Sequence, residues 1–355
     1  MKVTVIKPLN VRVGTPSVNA PCYQYITPGS ELEVDGQLYS GDAYDNINTW
    51  YKDGAGNYYW SGGVIKPITS LTPVANETSA VTYPTNLREL VKLNGDYPLS
   101  SLGSSGVVAV LDSGITNSLL KARINLEKNF VGNQVDTSDI YGHGTKVAGI
   151  ICGNGPIIKS FASLCSIINY RVADENGVIT SDPVYNALDT LNKLNPQQAK
   201  VDVINLSFDT PSNLVSYMQP IIDGLANKGI VAVVAAGNGD TLNNIASLQN
   251  VIKVGAIKKD DFNSIKEKGL NKIYDCAFID TPILSTSNKD KYDEIGQASA
   301  YTALISSMIC AFLKDASNSQ LQGRQRLATI KQFLTNCSFA ISDEYFPQNF
   351  KPLKR

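Results

Sequence analysis

The sequence predicts an α/β chain built on a doubly wound, mostly parallel sheet, preceded by a small all-β domain. Two observations carry this. From about residue 106 onward, short apolar runs rich in β-branched residues alternate with helical stretches. That alternation marks strand–helix–strand units in a sheet buried on both faces. Residues 1–66 are different: they are rich in Gly, Tyr, Asp and Asn, with frequent turn residues and no helical period.

The bulk composition fits this plan. A chain of 355 residues is comfortable for two domains, and 43% hydrophobic with 18% charged residues suits a soluble globular protein. A net charge of −1 gives no broad attraction to nucleic acid or to an acidic membrane. No apolar run is long enough to span a bilayer. Lys7 and Pro8 interrupt the N-terminus before a signal-peptide core can form. The six cysteines are scattered, with no C-x-x-C pair, which suits buried thiols better than disulfides or a zinc site. A cytoplasmic location is therefore expected, with a secreted protein trimmed of its signal as the alternative.

Element by element, the runs at 3–6, 9–14, 31–34 and 50–52 read as short strands of the first domain. Residues 67–83 combine Thr, Ser and Pro with few large apolar groups and read as a linker. Residues 84–94 read as a short helix, from apolar positions Leu87, Leu90, Val91 and Leu93. A second domain over 84–355 follows. Its strands are expected at 107–111, 167–172, 201–206, 230–235 and 251–257. Its helices are expected at 144–152, 183–194, 214–228 and 300–313.

His143 is the only histidine. It sits in Tyr141-Gly142-His143-Gly144-Thr145, and imidazole is the side chain best suited to exchange protons near neutral pH. Asp112, Ser207 and Asn238 each fall just after a predicted strand. In doubly wound sheets functional groups gather beyond the carboxyl ends of the strands. An α/β-hydrolase is excluded by the order of these residues and by the lack of G-x-S-x-G.

Five motifs in order resemble the subtilisin-like serine proteases: Asp112-Ser113-Gly114, Gly142-His143-Gly144-Thr145, Asn205-Leu206-Ser207, Ala235-Ala236-Gly237-Asn238 and Gly296-x-x-x-Ala300. The resemblance covers about residues 84–340 and implies a subtilisin-like fold with an Asp–His–Ser triad. It makes His143 the base, Asp112 the group that holds the imidazole tautomer, and Asn238 a donor to the oxyanion. It also implies a pocket walled by Ser207, Phe208 and Asp209 on one side and by Ala236 and Gly237 on the other. Gly177, Val178 and Ile179 would be the edge that pairs with extended substrate. The expected partner is a peptide or protein substrate.

The chain departs from the family pattern G-T-S-x-A-x-P where chemistry needs it most. Ala298 stands at the nucleophile position. Ser299 is no substitute, because successive helical side chains diverge by about 100°. Two origins account for Ala298: a deliberate Ser-to-Ala replacement in a working protease, or a natural pseudoprotease that binds without cutting. The retention of Asp112, His143 and Asn238 together favours the first. Asp209 replaces a glycine; a carboxylate at the pocket rim would favour Lys or Arg, and a solvated loop aspartate is the simpler reading. Thr302 replaces proline. No acidic calcium loop is evident, so no metal and no cofactor is expected. The runs 9–14, 28–34 and 50–52 resemble a bacterial SH3-like domain. That resemblance implies a ligand such as a peptide or cell-wall fragment, or else a packing or regulatory role.

Overall fold

Contacts divide the chain into two units, Met1–Val81 and Thr82–Arg355. The computed structural model describes residues 1–65, 87–93 and 101–339, except 6, 8, 28–29, 45–46, 133–134, 156–157, 195–199, 262–263, 265–266, 270–272 and 336. The linker expected at 67–83 lies outside the described residues.

The first unit is all-β. Its strands are β1 (Lys2–Val5), β2 (Leu9–Val13), β3 (Cys22–Ile26), β4 (Glu31–Glu33), β5 (Tyr39–Tyr44), β6 (Ile47–Lys52), β7 (Asn57–Trp60) and β8 (Val64–Ile65). They form two antiparallel sheets, ordered β4-β1-β8 and β3-β2-β7-β6-β5. Alternation explains the core: Val3 and Val5 point inward from β1, Leu9 and Val11 from β2, and they meet Trp50, Tyr59 and Trp60. Both buried indoles have partners, Trp50 Nε1 donating to Asp42 O at 3.0 Å and Trp60 Nε1 to Ile47 O at 3.0 Å.

The second unit begins differently from expectation. The stretch read as a helix over 84–94 is instead a 3₁₀ turn, Leu87–Leu90, followed by β9 (Val91–Leu93). β9 pairs antiparallel with β20 (Cys337–Phe339). A lone helix of this length is marginal in water. A strand partner from the far end of the chain supplies hydrogen bonds that the local pattern could not reveal.

The main sheet holds β10 (Val107–Asp112), β11 (Ile124–Asn129), β12 (Ser166–Arg171), β13 (Val203–Leu206), β14 (Val231–Asn238), β16 (Ile252–Ile257) and β17 (Cys276–Ile279). Their order is β11-β12-β10-β13-β14-β16-β17, with every neighbouring pair parallel. The short β15 (Thr241–Leu242) folds back antiparallel on β14. Beside the sheet, β18 (Ile283–Thr286) and β19 (Tyr292–Ile295) form a hairpin.

Six α-helices complete the described part of this unit: α1 (Ser118–Lys121), α2 (His143–Cys152), α3 (Ser181–Lys193), α4 (Ser212–Asn227), α5 (Gln297–Lys314) and α6 (Arg324–Thr335). Ala109 and Leu111 of β10 share a core with Leu188 of α3 and with Leu214 and Met218 of α4. Val108 and Val110 point to the opposite face and are equally buried, so the sheet is covered on both sides. α2 and α5 pack on each other; α2 also packs on β10, and α5 on β13, β14 and β16. α5 is buried along nearly its whole length, as expected of a helix that is apolar all round. Among the described residues, no helix is long and apolar enough to cross a membrane.

The five strands and four helices expected in this unit are present, with boundaries shifted by three residues at most. β11, β17, the β18–β19 hairpin and α6 were not expected, because they are short, polar or lack a clear period.

Candidate active site

The site is assembled at the carboxyl ends of the strands. Asp112 is the last residue of β10, and Asn238 the last of β14. His143 opens α2, and Ala298 is the second residue of α5. His143 is bonded to Asp112 at the end of β10 and Ala298 to Asn238 at the end of β14, so both lie at the same edge of the sheet.

Asp112 is nearly fully buried, and His143 keeps 27% of its side chain exposed. His143 Nδ1 lies 2.8 Å from Asp112 Oδ1 and 3.0 Å from Oδ2. With Nδ1–H donating to the carboxylate, Nε2 is left free to accept a proton. Asp112 is itself held, since Ser113 N–H donates to its Oδ1 at 2.8 Å. Gly144 lets the helix approach so closely: a Cβ there would meet Gly114 O at 2.2 Å and Asp112 Cβ at 3.0 Å.

The ring's proton affinity follows from this setting. Loss of water around the imidazole pulls its pKa down. The Asp112 charge and hydrogen bond, with the Asp139 charge behind them, outweigh that and the opposing Lys146. The net result is a pKa above the ordinary 6.5.

Position 298 is equally constrained. Ala298 is 1% exposed, and its N–H donates to Asn238 Oδ1 at 2.7 Å. The preceding Gln297 has φ +62°, a left-handed conformation that costs about 1 kcal/mol or more in a non-glycine residue. It is held by Asp280 Oδ1, which accepts the Gln297 N–H at 2.7 Å. Tyr301 secures the next turn: its ring stacks on Phe278 with centroids 4.4 Å apart, and its hydroxyl reaches Ile279 O at 2.7 Å.

Ser299 faces elsewhere. Its hydroxyl donates to Ser207 O at 2.7 Å, and Ser207 Oγ donates back to Ser299 O at 3.0 Å. Asn205 Nδ2 donates to Ser207 Oγ at 2.8 Å, and Ser306 Oγ to Asn205 Oδ1 at 3.0 Å. Thus Asn205 and Ser207 brace the start of α5 through buried hydrogen bonds.

The remaining pocket residues divide by burial. Phe208 lies in the α3–α4 core. Asp209 is exposed, and its Oδ1 accepts from Thr210 N–H at 2.8 Å and from Ile245 N–H at 3.4 Å. Those bonds tie Oδ1 to its own turn and to the short 3₁₀ segment Asn244–Ser247. Ala236 is fully buried, its carbonyl accepting from Asn243 N–H, and Gly237 pairs with Leu242. Gly177, Val178 and Ile179 lie in a loop after β12 where Ala173 bridges Ile179. Val178 is 55% exposed there. Gly177 has φ +78°, and a Cβ on it would strike the Tyr141 ring at 2.7 Å.

Asp139 and Ser113 were not singled out from the sequence, yet both support the site. An aspartate just ahead of a helix is a capping signal, and Asp139 precedes α2 by four residues. Among the described residues, no group of three or more His, Cys, Asp or Glu is placed to hold a metal ion.

A buried Asp–His pair and a backbone N–H at a helix start thus lie at the carboxyl edge of the parallel sheet. The model of the subtilase family matches residues 103–346, and the chain belongs to that family. It is 33% identical over 167 residues to a thermophilic serine proteinase of Bacillus sp. (strain AK1), covering 45% of this chain and 40% of that relative. It is 31% identical over 213 residues to the major intracellular serine protease of Bacillus subtilis (strain 168), covering 54% of this chain and 63% of the relative. Each match thus spans less than two thirds of the relative's length. The fold is similar to the crystal structure of a cold adapted subtilisin-like serine proteinase. There the TM-score is 0.55 at 21% identity, over 70% of this chain and 91% of the other.

Proposed function

We propose that the chain carries the machinery of a serine endopeptidase and, with alanine at 298, binds extended peptide without cutting it. The carrying observation is the hydrogen bond that orients the imidazole, His143 Nδ1 on the buried Asp112 at 2.8 Å. In this reading His143 Nε2 would take the proton of a serine at 298 as that oxygen attacks the scissile carbonyl, then return it to the leaving amine. Asp112 would hold the imidazolium. Asn238 and the backbone N–H of residue 298 would take the negative oxygen. For the N–H to do so, Asn238 must turn its amide from Oδ1 to Nδ2 toward the substrate.

The loop 177–179 would add a strand-like contact with peptide, and Asp209, exposed to solvent, is read as a loop aspartate rather than a determinant for Lys or Arg. Residues 1–66 would act as an SH3-like recognition module for a peptide or cell-wall fragment, with exposed Tyr44 packed edge-on to Trp60 at 4.9 Å.

The test is Ala298→Ser, assayed on a broad peptide library and with a serine-directed phosphonate. Restoring the hydroxyl should raise turnover by on the order of 10⁶-fold, the loss found when that hydroxyl is removed from a subtilisin. A serine form that neither cuts nor reacts would favour the second reading, a binding protein without catalysis. That reading draws on the Asn238 Oδ1 contact, which occupies a donor that a working oxyanion hole needs free.

A further inference from the structure

We propose that Asp139 is a positioning residue for His143, clamping the first turn of α2 to the end of β10 so that Nδ1 stays on Asp112. The inference rests on reading His143 as the base, but its geometry stands alone. Asp139 is 3% exposed and engages both carboxylate oxygens. Oδ1 accepts from Gly142 N–H at 2.6 Å and from Ser113 Oγ at 2.8 Å. Oδ2 accepts from Thr145 N–H at 2.8 Å and from Thr145 Oγ1 at 2.6 Å.

These bonds reach both sides of His143 in the chain. Gly142 has no side chain to cap the helix, so the N–H groups of the first turn need an acceptor from outside it. Asp139 is that acceptor, and an anion at a helix N-terminus is favoured by the macrodipole. Ser113 carries the clamp across to β10. Its hydroxyl donates to Asp139, accepts from Gly144 N–H at 2.9 Å, and adjoins Asp112 Oδ1 at 3.3 Å. The loop itself is pinned, since Asp139 N–H donates to Thr116 Oγ1 at 2.8 Å and Asp139 O accepts from Asn288 Nδ2 at 2.8 Å. A carboxylate so fixed cannot turn to solvent, so its charge also bears on the imidazole.

The charged groups around His143 are few. Asp112 touches it from β10, Asp139 faces it from the preceding loop, and Lys146 opposes both from the next turn of α2. Lys146 is engaged from β19, by Asp293 Oδ2 at 2.7 Å and Glu294 O at 3.1 Å. Asp139 is therefore the second negative charge favouring the imidazolium, after Asp112.

The sole histidine gives one ring signal to follow by proton NMR in the full chain as it stands, with no cleavage to confuse it. In Asp139→Asn the titration midpoint should fall by roughly 0.5–1 pH unit, less than the 1–3 units expected of a directly bonded carboxylate. The far-downfield Nδ1 proton, present when His143 is charged, should broaden or vanish. Asp293→Asn, which removes a β19 carboxylate bonded to Lys146 Nζ and Glu294 N–H, should leave that proton visible. In an Ala298→Ser background, Asp139→Asn should lower kcat by about 10- to 100-fold with KM little changed, as for a residue that orients a base.

A folded Asp139→Asn chain with an unmoved midpoint and an intact Nδ1 proton would overturn the proposal. If thermal melting shows that this variant does not fold, Ser113→Ala and Thr145→Val each remove one arm of the clamp. Unchanged Nδ1 signals in both would overturn it equally. Because the NMR readout needs no catalysis, the clamp can stand even if Ala298→Ser fails to cut. It can also fail while that variant cuts.

Discussion

The two ends of the parallel sheet each bury one aspartate at a strand, and they use it in opposite ways. At the carboxyl end Asp112 faces His143, whose pKa it raises above the ordinary 6.5 and which keeps 27% of its side chain exposed. At the amino end Asp202, wholly buried, is met by Arg326 Nη1 at 3.1 Å and Lys314 Nζ at 2.8 Å. Its Oδ2 also accepts Val107 N–H at 3.1 Å. Guanidinium and ammonium are intrinsically strong bases and imidazole is a weak one, so the two aspartates meet partners of different chemistry. The Asp202 cluster ties the ends of α5 and α6 to the sheet. The Asp112 pair can gain and lose a proton. The difference lies in partner chemistry rather than in burial.

The comparison would break most visibly in two variants. In an Ala298→Ser background, Asp112→Asn should lower kcat by on the order of 10⁴-fold, as expected when the orienting carboxylate of a triad is lost. At alkaline pH, where His143 is neutral, unfolding should change little, because the amide fills the same space. Asp202→Ala should do the reverse. It strands two cations and should cost about 3–5 kcal/mol of stability in a denaturant titration. The His143 titration midpoint should not move. If Asp202→Ala shifts that midpoint instead, the two ends of the sheet are coupled and the contrast fails.

pH sharpens the same contrast. His143 has its pKa raised, so its pairing with Asp112 stabilises the fold fully below the unfolded value of about 6.5. That contribution is lost as pH rises through the folded value. The stability gap between the parent chain and Asp112→Asn should therefore narrow from pH 6 toward alkaline pH. In the serine form, activity should rise with pH and level off only above pH 6.5, since catalysis needs the neutral imidazole.

The smallest effect concerns α5, which links the two ends. The Thr302 hydroxyl is buried with no hydrogen-bond partner. Thr302→Val keeps the shape and removes that group, so it should leave stability unchanged or raise it by up to about 1 kcal/mol. A clear loss of stability would mean that the hydroxyl has a water partner.

The sequence by itself determined the alternation of strands and helices, the all-β character of the first unit, and the order of Asp112, His143, Asn238 and Ala298. Those features are local: a period, a short motif, a residue just past a strand. Only the tertiary structure decided what each residue touches. Nothing near Asp202 in the chain announces Lys314 or Arg326, and nothing near Ser299 announces its exchange of hydrogen bonds with Ser207. The stretch after residue 86 reads as a helix until β20 arrives to pair with it. Asp139 was not singled out, because its importance depends on Ser113, which reaches it only through folding. Hydrophobic periodicity survives in one dimension. Hydrogen bonds between distant residues exist only once the backbone has brought donor and acceptor within about 3 Å.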